Sequence, residues 1–208
     1  MNLPLQLRIQ NLEVKINMKT LVFAASNRSD SLNRKLARSA AEELRRAGGE
    51  VTVAELTDFP MPLYDGDLEV EAGLPERAQA FKQLLREHDS LVIASPEYNG
   101  SFPALLKNTV DWASRPAPGE RPGEAFRNKT AALLSTSPGG GGGRRGLRHL
   151  RELMQNLGVA VITPEVVVAR GPDAFDASGR LVRPDAVDEV RQLVTSLASA
   201  VNAGAPTV

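Results

Sequence analysis

Three short stretches carry residue types suited to an anion and a flat ring. "ASNRSDSLN" (25–33) sets the hydroxyls of Ser26, Ser29 and Ser31, the amide of Asn33 and the cation of Arg28 around a helix start near Leu32. A helix start presents N–H groups without partners and a partial positive charge, which suits a phosphate. Serine hydroxyls and a guanidinium fork complete such a cradle. The plainer reading makes Ser31 only a helix cap; Arg28 lying among three serines shifts the balance towards an anion pocket. With no P-loop lysine and no glycine triplet here, a nucleoside-triphosphate site or a Rossmann pyrophosphate turn is disfavoured, and a single phosphate remains.

"SPEYNGSF" (95–102) supplies a rigid Pro96, the carboxylate of Glu97, the aromatic Tyr98 and the amide of Asn99, with Gly100 permitting a sharp turn. A heterocycle with donors and acceptors along one edge could use all of them. "STSPGGGGGRRG" (135–146) matches G-x-G-x-x-G at Gly141, Gly143 and Gly146. A glycine run meets many patterns by chance, and the dinucleotide fingerprint belongs after the first strand of its unit. Two readings compete with it: a pliable wall letting backbone approach a flat ligand, and a plain surface loop. One phosphate, one flat ring and a glycine wall together describe a flavin mononucleotide site.

These loops need elements to hold them at one edge of a sheet. Short apolar runs at 19–26, 50–56, 89–95, 129–137 and 160–169 alternate with helical patterns at 31–48, 74–88, 103–114, 144–158 and 184–202. Pro164 stands within the fifth run. Strict alternation predicts an α/β fold, a flavodoxin-like doubly wound five-stranded parallel sheet of order 2-1-3-4-5 with helices on both faces. Ligands of such sheets sit outside the carboxyl ends of the strands, where all three loops fall. Residues 1–18 stand apart as an N-terminal extension, read as a disordered tail or an over-long start; 19–204 form the domain.

Composition narrows the chemistry. The 208 residues hold 25 Lys plus Arg against 25 Asp plus Glu, so no global field draws in nucleic acid or an anionic membrane. With no cysteine and two histidines, thiolate chemistry is excluded and a histidine metal site lacks ligands. No apolar run approaches a membrane span, and residues 1–17 lack signal-peptide character. A cytoplasmic, membrane-free protein is expected.

From about residue 19 to about 200 the chain resembles the NADPH-dependent FMN reductase family, the flavodoxin-like quinone, azo and chromate reductases. "SNRSDSLN" looks like its G-S-x-R-x-x-S-x-N loop, "SPEYNGSFPALLKNTVDWASRP" its P-E-Y-N segment and following helix, and "STSPGGGGGRRGLRHLR" its S-x-G-x-x-G-G-x-R-x-x-x-x-L-R stretch. The resemblance implies that Ser26, Arg28, Ser31 and Asn33 hold the FMN phosphate. Glu97, Tyr98, Asn99 and Gly100 would border the ring and ribityl chain, with Ser137 and Gly139 closing the other side; Leu32 and Pro96 join the cofactor-binding set. Two departures matter: Ala25 replaces the usual glycine, and Gly140 and Gly141 fill variable positions of the wall.

The resemblance further implies FMN as cofactor, NADPH or NADH as co-substrate, small-molecule electron acceptors and no protein nucleophile. It also implies a homodimer or homotetramer. Trp112 is expected at a subunit interface, with core packing and substrate contact as alternatives. The cluster Arg144, Arg145, Arg148 and Arg151 suits an interface, the NADPH phosphate or a solvated face; one specific expectation pairs Arg145 with Glu165 of the partner subunit. An FMN electron carrier and a regulatory nucleotide-binding module are the alternatives from other classes.

Overall fold

Side-chain alternation along the central strands decides the layering, because successive residues of a strand point to opposite faces. In β1 (Lys19–Ala24), Val22 joins one core while Leu21 and Phe23 join the other. The same split places Val92 against Leu91 and Ile93 in β3 (Ser90–Ala94), and Ala132 and Leu134 against Ala131 and Leu133 in β4 (Thr130–Thr136). Strands buried on both faces belong in the middle of a parallel sheet. The computed structural model describes residues 18–204; of the extension expected over residues 1–18, all but Met18, which is buried in the core, lies outside the described residues.

With β2 (Glu50–Glu55) and β5 (Ala160–Val161), the sheet runs β2-β1-β3-β4-β5, every neighbouring pair parallel, in the order the alternation predicts. The fifth run is two strands rather than one. β5 pairs with Thr130 and Ala131, the chain leaves the ladder through Thr163 and Pro164, and β6 (Val166–Val168) rejoins β4 at Leu134–Thr136. Proline has no N–H to give a ladder, so the break falls where the sequence removes a donor.

One face is covered by α1 (Leu32–Arg46) and α6 (Pro184–Asn202), which bury Leu36, Leu44, Val190 and Leu197. The other is covered by α3 (Glu76–Glu87), α4 (Ala104–Ala113) and α5 (Arg144–Asn156), which bury Phe81, Leu106 and Leu150. A further helix, α2 (Gly66–Ala72), has no counterpart in the sequence reading. It buries no residue and leaves Val70 in solvent, so it carries no apolar stripe for periodicity to detect; Asp65 caps it by accepting from the Asp67 N–H at 2.9 Å.

Trp112 corrects an expectation. It is fully buried within its own chain, lies edge-on to Tyr64 at 5.0 Å and donates its indole N–H to the Pro62 carbonyl at 2.8 Å. It is core, not interface. Asn108 also donates to that carbonyl at 2.9 Å, so Trp112→Phe leaves no orphaned acceptor. Its expected cost is about 1–2 kcal/mol, from one lost hydrogen bond and a small void. Urea denaturation with sizing of the variant checks this: dissociation of an oligomer without loss of stability would restore the interface assignment.

Candidate functional site

Because β1, β3 and β4 are parallel and in register at Ala24, Ala94 and Leu134, their carboxyl ends open on one edge. The backbone carries the alignment one residue beyond the strands: Ala25 N–H donates to Ala94 O and Ser95 N–H to Leu134 O, each at 2.9 Å. Ala25 is fully buried, and it is not among the residues with left-handed φ, so replacing the family's usual glycine costs nothing there.

At this edge lies a cleft of about 410 Å³, bordered by Ser26, Arg28, Ser31, Leu32, Asn33, Pro96, Glu97, Tyr98 and Ser137. The three loops do converge. Asn99, Gly100 and Gly139 sit in the same loops without lining the cleft wall itself. At one end the Ser26 hydroxyl accepts the Arg28 N–H at 3.4 Å, and Ser31 caps α1 by accepting the Arg34 N–H at 3.3 Å. Ser31 is thus the helix cap of the plainer reading and part of the cleft wall at once. The Arg28 side chain has no carboxylate or hydrogen-bond partner among the described residues. Asp30 is taken by Lys35 at 2.5 Å. That bond and the Lys35 charge hold the Asp30 carboxyl below its ordinary value. The local balance leaves Arg28 as the cation available to an anion.

Asn33 ties the first loop to the sheet. Its amide donates to Thr136 O at 2.9 Å and accepts the Thr136 N–H at 3.1 Å, a two-bond clamp between the start of α1 and the end of β4, and the residue is buried. That clamp fixes the loop before α1 and uses one amide N–H; the second has no partner among the described residues, and Asn33 lines the cleft.

The middle loop turns on two left-handed residues, Asn99 at φ 51° and Gly100 at φ 83°. Tyr98 and Ser101 exchange backbone hydrogen bonds around them at 2.8 and 3.0 Å, closing a two-residue turn that favours Asn-Gly. The Tyr98 N–H is consumed in that turn. The N–H groups of Asn99 and Gly100 donate to nothing among the described residues. The Tyr98 side chain stands half in solvent.

Glu97 spans the loops. One carboxylate oxygen accepts the Arg145 and Gly146 N–H groups at 3.0 and 3.2 Å, and the other takes the Arg145 guanidinium at 2.9 and 2.7 Å. Burial pushes the carboxyl up, but the Gly146 N–H and the hydrogen bonds and charge of Arg145 outweigh it and hold it below its ordinary value. A carboxylate already takes the Arg145 and Gly146 N–H groups at the start of α5, the donors that a dinucleotide turn would offer a pyrophosphate. The literal G-x-G-x-x-G thus lacks the free N–H pair that such a turn presents.

The arginine cluster also separates. Arg145 belongs to Glu97, while Glu165 accepts Arg151 of its own chain at 2.6–2.7 Å, and Arg151 also donates to the carbonyls of Val161 and Ile162. The expected pair between Arg145 and Glu165 of the partner subunit is replaced by these two pairs within the chain.

Sequence reasoning missed the fourth wall of the cleft. Thr136, Pro172, Phe175 and Asp176 line it, the last three from the segment after β6. A Cβ on Gly171 would lie 2.4 Å from Thr136 Oγ1 and 2.9 Å from Leu32 Cδ1, so only glycine lets that segment cross so close. Its position after the last strand, on the same sheet edge, was the signal that could have found it.

Comparison with known proteins agrees with this geometry. The family model described as NADPH-dependent FMN reductase matches residues 18–173. An NAD(P)H-dependent FMN reductase of Pseudomonas aeruginosa is 36% identical over 182 residues, covering 87% of this chain and 94% of the relative. An NADPH:quinone oxidoreductase of Arabidopsis thaliana is 35% identical over 187 residues, covering 88% and 92%. Among solved structures, the flavoenzyme NAD(P)H:acceptor oxidoreductase FerB of Paracoccus denitrificans superposes with a TM-score of 0.76 at 26% identity, covering 90% of this chain and 98% of that one. By sequence, by sheet order and by the three loops at its carboxyl edge, the chain belongs to the NADPH-dependent FMN reductase family.

Proposed function

We propose that the cleft binds FMN and that the protein is an NAD(P)H-dependent oxidoreductase delivering electrons to small molecules: quinones and free flavin, with azo compounds and metal oxyanions in the same class. One juxtaposition supports this reading most: a single cleft lined by the unpaired Arg28, the hydroxyl-bearing Ser26 and Ser31, and the Pro96–Glu97–Tyr98 stretch, whose turn carries the spare N–H groups of Asn99 and Gly100. The donor set fits the two ends of FMN. Arg28, Ser26 and Ser31 hold its phosphate; Asn99 and Gly100 donate to the ring edge; Pro96, Tyr98 and Ser137 border the ring. Asn33 and Glu97 hold the loops in place.

When bound, FMN supplies the two-electron chemistry, taking hydride from the nicotinamide and passing electrons on to the acceptor. The chain's own part is to bind, orient and donate hydrogen bonds in a partly dry site, where fixed donors count for more than they do in water. No side chain is assigned as acid, base or nucleophile. We place the enzyme in the cytoplasm, where reduced nicotinamide nucleotides are supplied. We further infer a homodimer or homotetramer, supported by Leu63 and Val70, which stand 78% and 89% exposed around α2.

The test is spectroscopic. Protein loaded with FMN is expected to be yellow, to bleach with NADPH or NADH, and to regain its colour on adding a quinone. Bleaching without reoxidation by any small acceptor would point instead to an electron carrier. Failure to hold FMN would end the reading.

A further inference from the structure

Beside the FMN cleft lies a second cavity of about 530 Å³, and the two share Glu97 and Ser137. Its walls are Gly140, Gly141 and Gly143, the first residues of α5 including Arg144, and Val167 and Ala169 from the β6 edge. The glycines differ in what they are for. A Cβ on Gly142 would lie 2.4 Å from Val167, and one on Gly143 would lie 1.9 Å from Ser135 Oγ. At Gly139, Gly140 and Gly141 a Cβ would meet nothing within 4 Å, and none has left-handed φ. Neither packing nor backbone conformation inside the chain asks for glycine there, and Gly140 and Gly141 line the cavity.

The start of α5 is also electrostatically odd. It has no acidic residue in its first turn and opens with Arg144 and Arg145, where the helix dipole disfavours cations. Arg145 is neutralised by Glu97. Arg144 and Arg148 are four residues apart on one helix face, both exposed, and neither has a carboxylate or hydrogen-bond partner for its side chain among the described residues. Like charges at that spacing repel. An anion lying between them would reverse the sign of both effects.

We propose that Arg144 and Arg148 bind the 2′-phosphate of NADPH while its nicotinamide end lies in the FMN cleft, and so select NADPH over NADH. This rests on the reductase reading, and it adds what that reading leaves open, the choice of nucleotide. The glycine wall at Gly140 and Gly141 lets the body of the nucleotide lie against backbone between the two sites. A guanidinium pair gives a phosphate dianion several charge-assisted hydrogen bonds, while the free 2′-hydroxyl of NADH offers no charge to hold.

The test measures binding directly, by titrating NADP⁺, NAD⁺ and adenosine 2′,5′-bisphosphate into FMN-loaded protein by calorimetry, alongside kcat/KM for NADPH and NADH. The native chain is expected to bind NADP⁺ about tenfold or more tighter than NAD⁺. In the Arg144→Ala/Arg148→Ala variant that ratio should collapse to within about threefold, with the loss confined to the 2′-phosphorylated ligands. Equal binding of both nucleotides by the native chain, or equal weakening of both in the variant, would overturn the proposal. So would an unchanged nucleotide ratio accompanied by a raised KM for a sulfonated quinone, which would make the arginines an acceptor site. Flavin that neither nucleotide bleaches is a separate outcome, failing the reductase reading itself, while the calorimetric ratio still reports on the arginines.

Discussion

Gly143→Ala is expected to lower the melting temperature by about 5–15 °C, while Gly140→Ala, three residues earlier in the same glycine run, leaves it unchanged or slightly raised. At Gly143 the backbone is left-handed, φ 95°, and an added Cβ would fall 1.9 Å from Ser135 Oγ and 2.9 Å from Ser135 Cβ. Ser135 cannot give way cheaply, being fully buried on β4 with its hydroxyl donating to Ser95 O at 2.6 Å. Left-handed strain in a non-glycine residue costs about 1–2 kcal/mol. Overpacking adds about 1–3 kcal/mol, for roughly 2–5 kcal/mol together. At Gly140 neither term applies, and losing a glycine from the unfolded chain contributes about 0.4–1 kcal/mol of stability. Thermal denaturation of both variants decides it, with Ser135→Ala as a partial rescue of the first because it removes the nearest atom. Equal melting temperatures for the two variants would mean that the turn does not sit on β4 as described.

The same contrast shows what local sequence can and cannot reveal. The run of five glycines is conspicuous in the sequence, but which of them are required depends on Ser135, Val167 and Glu97, brought close only by the sheet. Strands and helices were legible because their signal is local: apolar runs for the buried strands, helical spacing of Leu36, Ala40 and Leu44, and Gly48 as a stop. Sheet order and the convergence of the three loops followed from alternation alone. α2 was not legible because its seven residues bury nothing. Nor were the pairings that define the site. Glu97 and Arg145 are 48 residues apart, and Asn33 and Thr136 are 103 apart. Arg28 and Asn33 looked equivalent as polar residues of one loop; only the position of β4 separates the unpaired cation from an amide tied by two of its hydrogen bonds to Thr136. Trp112 was misread for a related reason, since its carbonyl partner comes from the β2–α2 connection, 50 residues back.

Glu97→Gln is expected to weaken FMN binding about tenfold and to cost about 1–3 kcal/mol of folding stability at neutral pH. The carboxylate is 14% exposed and faces donors on both sides: two backbone N–H groups on one oxygen and the Arg145 guanidinium on the other. An amide turned either way sets its NH₂ against one of those pairs, so the conservative change creates a donor–donor conflict. The loop then loses its tie to α5, and with it the fixed position of the Asn99 and Gly100 N–H groups. The pH dependence separates this from simple loss of packing. Glu97 titrates below its ordinary value near 4.5 in the folded chain. The charged form's contribution is therefore fully present above that pH and fades as the pH falls through the lower folded value. The native-minus-variant stability gap should accordingly be flat from neutral pH down to about 5 and close in more acid solution. Denaturant titrations across that range, with FMN affinity from the quenching of flavin fluorescence, give both readings. A gap that persists unchanged into acid would assign Glu97 a packing role only. An unaltered FMN affinity would detach the α5 cap from the flavin shelf.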